Sequence, residues 1–304
     1  MANLFWKQGK KTFNLLSKPF ETEEMFEKEI FETQELFEDL TFLKRQATHG
    51  PGSGSGRPDI LAIDSDGNIC IIEMKNTPVD EKIFTQVLNY AIWAESNPDS
   101  LKNLWYELED KPEIDWDNFE VRIMVIASEI HQSTLKFVNS INYSLDLIEI
   151  KRWATKTDSF LLVNELKPRV AKKSKTIKGL ENYDKKYYLS RHKPESVKNF
   201  LHFVKEAEKL LKKQGWKNIE KKFNKHYCGF KYGFFNLFTI AWIGSKSFAF
   251  RIRMPEKELK KITPGLKLTK YSRKQGYYNV DPGKTKISSF LPLIRASMKN
   301  KTIG

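Results

Sequence analysis

Two short apolar runs on either side of Asp66-Gly67 constrain this 304-residue chain more than any other stretch. The segment from Gly56 to Lys75 reads Gly-Arg-Pro-Asp-Ile-Leu-Ala-Ile-Asp-Ser-Asp-Gly-Asn-Ile-Cys-Ile-Ile-Glu-Met-Lys. Asp-Gly suits the left-handed backbone of a tight hairpin turn, and the β-branched residues around it suit strands. Strands are expected over about 59–64 and 69–75. In a hairpin centred on Asp66, position 59 falls almost opposite position 73, because facing indices sum to twice the centre. Glu73 and Lys75 lie two apart and share a strand face. Asp59, Glu73 and Lys75 therefore meet at one end of a hairpin made otherwise of Ile, Leu, Ala and Cys. Charge gathered there is costly unless something binds it.

The elements around the hairpin alternate. Residues 1–20 mix Phe5, Trp6, Phe13 and Phe20 with lysines and read as a small N-terminal strand or lead-in. Thr22 is a suitable N-cap for a helix reaching Leu40, with Phe26, Ile30, Thr33, Phe37 and Leu40 at helical spacing. Its acidic first turn suits the helix dipole. Glu23 and Glu27 flank the apolar stripe and could turn towards a sheet. A strand over 40–48 leads into His49-Gly-Pro-Gly-Ser-Gly-Ser-Gly56, a loop by composition. That loop lacks the Lys-Ser/Thr ending of a phosphate-binding loop, which argues against a nucleoside triphosphate site. A helix over about 80–95 stacks Gln86 and Tyr90 on one face. Residues 97–118 form an acidic, Trp-rich connection without a clear element. Strands at 120–127, 145–152 and 160–166, the last at an edge, enclose a helix at 133–142. The fold class is α/β, a mixed sheet flanked by helices, over residues 1–165.

Charge divides the chain. Residues 1–165 hold 17 Lys+Arg and 29 Asp+Glu, a net of −12, whereas 166–304 hold 35 and 9, a net of +26. A general enrichment in lysine would raise both halves, so the basic half points to a polyanionic partner. Residues 166–193 read as a basic linker. Residues 194–304 read as a small α+β domain: a helix over 194–214 stopped by Gly215, strands at about 217–223, 225–232, 234–243 and 247–254, and helices at 256–262 and 288–299. Its Arg251, Arg253, Lys270, Arg273 and Lys274 interleave with Tyr277 and Tyr278. The Tyr277-Tyr278 pair is expected to be exposed, and Phe234, Trp242, Phe248 and Phe250 to be core. No apolar run approaches a membrane span, and the first residues lack a signal peptide's apolar segment. Two cysteines, Cys70 and Cys228, make no disulfide framework. A reducing, cytoplasmic setting fits.

Asp59 and Glu73, with the Met74 carbonyl as a third oxygen, are hard ligands suited to Mg²⁺ or Mn²⁺. Such an ion activates water and neutralises a phosphate. Lys75 beside it could steady transition-state charge or, with its pKa depressed by the cation, act as a base. The stretch Arg57-Pro58-Asp59 through Glu73-Met74-Lys75 resembles the PD-(D/E)xK nuclease superfamily. Gly56-x-x-Asp59, Glu73-x-Lys75 and Gln86-x-x-x-Tyr90 together resemble its RecB-like branch. The run from Glu23 to Trp93 looks like the NucS-related and restriction-like endonuclease domains. The resemblance covers about residues 20–152 and implies a restriction-endonuclease-like fold. It also implies a metal held by Asp59 and Glu73, completed by a first-helix glutamate, taken as Glu27 rather than Glu23. Lys75 would be catalytic, with Gln86 supporting it, and Arg57 and Tyr90 would contact nucleic acid. The basic domain resembles uncharacterised domains appended to such nucleases. The expectation is a metal-dependent DNA endonuclease, with RNA an alternative substrate and a homodimer or partner protein compatible. The rival expectations are a catalytically silent nucleic-acid-binding module and a partner-licensed subunit of a defence or repair system.

Overall fold

The computed structural model describes residues 4–46, 58–109, 111–138, 140–155, 157–166, 183–216, 218–263, 265–272 and 274–301. They fall into two compact units, Met1–Glu35 with Asp39–Glu181, and Leu36–Glu38 with Asn182–Gly304.

In the first unit, β1 (Leu4–Gln8) and β2 (Lys11–Leu15) form a two-stranded antiparallel sheet. Helix α1 spans Glu23–Glu32, and the Thr22 hydroxyl caps it by accepting from the Met25 amide at 3.1 Å. The helix expected to reach Leu40 stops at Thr33, whose hydroxyl donates to the Glu29 carbonyl at 2.7 Å. Local bonding of this kind competes with helix continuation. A 3₁₀ turn, Gln34–Phe37, follows.

The elements then run β3 (Leu40–Arg45), β4 (Ile60–Asp64), β5 (Ile69–Val79), α2 (Ile83–Ser96), α3 (Pro98–Tyr106) and β6 (Val121–Ile130). Next come α4 (Gln132–Val138), β7 (Ser144–Ala154) and β8 (Ser159–Leu166). The main sheet has the order β3-β4-β5-β6-β7-β8. It is parallel at β5–β6 and β6–β7 and antiparallel elsewhere, and β8 is an edge. This is the mixed α/β sheet of a restriction-endonuclease-like fold. Helix α3 lies in the stretch that showed no clear element. Pro98 opens it, a position where a missing N–H costs nothing.

The central hairpin has the register its turn dictates. Ile60 faces Ile72, Leu61 faces Ile71, Ala62 faces Cys70 and Ile63 faces Ile69. The turn places Gly67 at φ +81°, and Asp64 Oδ1 accepts from the amides of Asp66 and Asn68, each at 2.9 Å. A side chain at Gly67 would strain the backbone and meet the Glu113 carbonyl oxygen at 2.8 Å. All of β4 and the first six residues of β5 are buried, so the strands read as unbroken apolar runs. Leu61, Ile63, Ile69 and Ile71 pack with Val87, Tyr90, Ala91 and Ala94 of α2, and α1 packs against β5 as well.

One charged group crosses this sheet. Arg122 Nε on β6 lies 2.6 Å from Asp146 on β7, and Nη1 lies 3.6 Å from the buried Asp64. Arg122→Ala leaves two carboxylates without their cation. A loss of about 3 kcal/mol is expected, from the cost of breaking a buried ion pair on one side. Urea unfolding checks this, and a change below about 0.5 kcal/mol would contradict it.

The second unit contains α5 (Lys185–Arg191), α6 (Pro194–Lys213), β9 (Ile219–Phe223), β10 (Tyr227–Tyr232), β11 (Phe235–Ile243) and β12 (Ser247–Arg253). It continues with α7 (Glu256–Ile262), β13 (Lys270–Ser272), β14 (Gln275–Asn279) and α8 (Leu291–Lys301). Its sheet is antiparallel throughout, in the order β13-β14-β12-β11-β10-β9. Val197, Phe200 and Val204 of α6 and Leu293 and Ile294 of α8 share one core with Phe238, Phe250 and Tyr278 of the sheet.

Helix α5 falls inside the stretch read as linker. Asp184 caps it by accepting from the Tyr187 amide, and Tyr187 and Tyr188 are buried. Most of the remaining linker lies outside the described residues. Tyr278 is buried, contrary to the expected exposed pair; neighbours on a strand point to opposite faces, so only Tyr277 keeps contact with solvent. Phe248 and Phe250 are core, whereas Phe234 and Trp242 are half-buried. Among the described residues no helix is long and apolar enough to cross a membrane.

Candidate active site

The first unit gathers seven of the expected residues at one end of β4 and β5. Asp59 immediately precedes β4, while Glu73 and Lys75 lie on β5. Glu23 and Glu27 come from α1, and Gln86 and Tyr90 from α2. Glu73 is fully buried, Glu27 and Asp59 nearly so.

Lys75 is the hub. Its Nζ lies 2.8 Å from Glu73 Oε1 and 2.9 Å from Glu23 Oε1. Asp59 Oδ2 accepts from the Met74 amide at 2.6 Å, which fixes the carboxylate across the hairpin. Glu27 Oε2 accepts from Arg45 Nε at 3.2 Å and Gln46 Nε2 at 2.9 Å. Gln86 Nε2 donates to the Tyr90 hydroxyl at 2.9 Å, the pairing expected of residues four apart on a helix. Thus the two first-helix glutamates take different partners, Glu23 the lysine and Glu27 the end of β3.

Burial and mutual repulsion set the protonation of these groups. Burial, then the Glu73 charge, pushes Asp59 up to about 8, against the opposing pull of the Met74 N–H and Lys75. Burial likewise raises Glu73, although Lys75 opposes it. Burial would lower Lys75, but Glu73 and Glu23 outweigh it and raise its pKa. With carboxylates as its neighbours Lys75 holds its proton. Burial raises the Tyr90 phenol, and the Glu73 and Asp59 charges add to this.

Glu73 has the most unusual surroundings. Both its carboxylate oxygens are buried, and Oε1 is held by Lys75 Nζ at 2.8 Å. A carboxylate buried this fully is expensive. Among the described residues no three His, Cys, Asp or Glu side chains stand ready as a metal-ligand group. The reasons are visible: Asp59 is turned onto Met74, and Glu27 onto Arg45 and Gln46.

Sequence reasoning did not find Arg45 and Gln46. They sit after a register shift in β3, and Gln46 has φ +49°, so no strand pattern announces their direction. Arg57 and Arg273, both expected to contact nucleic acid, lie outside the described residues. Arg251, Arg253, Lys270, Lys274 and Tyr277 belong to the second unit. Arg253 Nη1 donates to the Glu38 carbonyl at 2.9 Å, and Lys274 is exposed at a turn with φ +57°.

No protein-family model matches the chain, and no curated protein matches it. Two solved structures are similar to part of it. A repair endonuclease from Pyrococcus abyssi is 21% identical, over 44% of this chain and 50% of that one, with a TM-score of 0.29. EndoMS in complex with double-stranded DNA is 20% identical, over 47% of this chain and 49% of that one, with a TM-score of 0.30. The chain matches about half the length of each of these proteins.

Proposed function

We propose that the first unit is a metal-dependent endonuclease that hydrolyses phosphodiester bonds in DNA, and that the basic second unit supplies nucleic-acid affinity. The observation that carries this is the fully buried Glu73 carboxylate beside Asp59 and Lys75. Two neighbouring carboxylates that burial, and for Asp59 also the Glu73 charge, drives towards the protonated form make a natural cation site.

Asp59 and Glu73, with the Met74 carbonyl and Glu27, are the residues that would hold Mg²⁺ or Mn²⁺. Bound there, such an ion lowers the pKa of a coordinated water and offsets charge on the scissile phosphate. Asp59 then gives up its proton. Lys75, charged among its carboxylate neighbours, is suited to stabilising negative charge on phosphate oxygens. Gln86 holds the Tyr90 hydroxyl in place, where it is suited to orienting a phosphate oxygen. In the reaction, water oxygen bonds to phosphorus and releases a proton to solvent, the bond from phosphorus to the leaving sugar oxygen breaks, and that oxygen gains a proton from solvent.

Single-stranded, duplex and branched DNA, and RNA of the same sequence, incubated with the full chain in Mg²⁺ or Mn²⁺, test the reading. DNA cleavage that EDTA abolishes is expected. Binding without cutting of any substrate would replace the enzyme with a silent nucleic-acid-binding module, and cutting of RNA alone would reassign the substrate. Cutting only after a partner protein is added would make the chain a licensed subunit.

A further inference from the structure

The second unit's sheet carries a row of residues that only its register shows. Lys270 on β13 faces Tyr277 on β14, and Tyr277 faces Arg251 on β12. Arg251 faces Thr239 on β11, Thr239 faces Gly229 on β10, and Gly229 faces Lys222 on β9. Directly opposed residues project from the same side of a sheet. The row therefore crosses all six strands on one face, over roughly 24 Å at a strand spacing of about 4.8 Å.

The opposite face of the sheet packs on the helices. The next residues along the strands, Tyr278, Phe250, Ile240 and Cys228, point the other way into the core with α6 and α8. In the row, Lys222 and Lys270 are exposed, and Arg251 and Tyr277 are partly so. Thr239 is buried and accepts from Arg251 Nε at 2.8 Å, which aims the guanidinium along the sheet. The Arg251 guanidinium lies 5.0 Å from the centre of the Tyr227 ring and 5.9 Å from that of Tyr277. Lys270 Nζ lies 5.8 Å from the centre of the Tyr277 ring. At position 229 a Cβ would meet Asn236 Oδ1 at 2.7 Å, so a side chain there would require Asn236 to move. The row thus has cations at both ends and in the middle, and an aromatic ring between two of them.

We infer that this row is a track for single-stranded DNA, with a base stacked on Tyr277 and phosphates held by Lys270, Arg251 and Lys222. Charge and shape select this occupant. The unit's excess of positive charge suits a polyanion. A partly exposed ring on a sheet stacks on an unpaired base, which a duplex keeps inside its own stack. The track rests on the DNA-binding part of the function proposed above and not on cleavage.

The test is fluorescence anisotropy of a labelled dT oligonucleotide with the full chain in EDTA, beside a duplex of equal length and the RNA counterpart. Single-stranded DNA is expected to bind at least ten-fold more tightly than duplex. Tyr277→Ala is expected to weaken it about ten-fold, within the range that loss of one stacked base produces, and Tyr277→Phe to leave it within two-fold. Lys222→Glu combined with Lys270→Glu, both on exposed side chains, should weaken it similarly and lower its salt dependence. Lys198→Glu, exposed on α6, should change nothing. Should Tyr277→Ala fail to fold, the lysine pair decides alone. Preference for duplex or for RNA, or row variants no weaker than Lys198→Glu, would overturn the track. DNA cleavage that persists alongside such a result would leave the nuclease standing, and tight single-strand binding without cleavage would leave only the track.

Discussion

Lys75→Ala is expected to slow metal-dependent DNA cleavage by about a thousand-fold while leaving DNA affinity within about two-fold. The size follows from removing one preorganised positive group aimed at transition-state charge. A second effect has the opposite sign. Lys75 pairs with Glu73 and Glu23, so it competes with any cation for the same carboxylates. Without it, Mn²⁺ should bind several-fold more tightly, as a titration followed by electron paramagnetic resonance would show. Slower cleavage together with tighter metal binding separates a catalytic lysine from one that only holds the site together. In the latter case metal binding would weaken along with the rate.

Asp59→Asn is expected to stabilise the protein in EDTA at pH 8, by about 2 kcal/mol, while abolishing cleavage. Asp59 is pushed up to about 8 in the fold, above the usual aspartate value of about 4. The folded chain therefore binds a proton that the unfolded chain releases, and stability falls as pH rises from about 4 to about 8. A shift of this size corresponds to at most about 6 kcal/mol. Glu73 carries part of the same repulsion, so the share assigned to Asp59 alone is smaller. Asparagine keeps an oxygen for the Met74 amide and carries no charge. Its melting temperature should fall less steeply than that of wild type across that pH range, the remaining slope coming from Glu73. Saturating Mg²⁺ should reverse the order, since only the ionised carboxylate binds the cation. An Asp59→Asn protein that melts below wild type in EDTA at pH 8 would show that burial of a charge beside Glu73 is not what the fold tolerates here.

The charged end of the hairpin was legible because a tight turn turns sequence into geometry. Once Asp66-Gly67 is placed, the pairing of β4 with β5 leaves no freedom, and residues 59 and 73 must meet. The Gln86–Tyr90 bond was legible for a similar reason, helical spacing. The partners of Glu23 and Glu27 were not. Both glutamates sit on one helical face, and their partners come from β5 and from the irregular end of β3. In the second unit, β13 and β14 escaped notice because Gln275-Gly-Tyr-Tyr-Asn279 alternates between a buried Gly and Tyr and three polar or half-exposed positions. Composition made the two tyrosines look alike, and only the strand's two-residue period separates the core Tyr278 from the surface Tyr277.

The turn at Asp64–Gly67 has an evolutionary consequence. It lies at the far end of the hairpin from the charges and touches none of them. Yet adding or deleting a single residue there would move the whole of β5 by one step and turn Glu73 and Lys75 to the opposite side of the sheet. Substitutions can erode such a site gradually, but a change in loop length removes it at once with the apolar strands intact. In descendants of this chain, the length of that loop would report whether chemistry has been retained more directly than the identity of any residue within it.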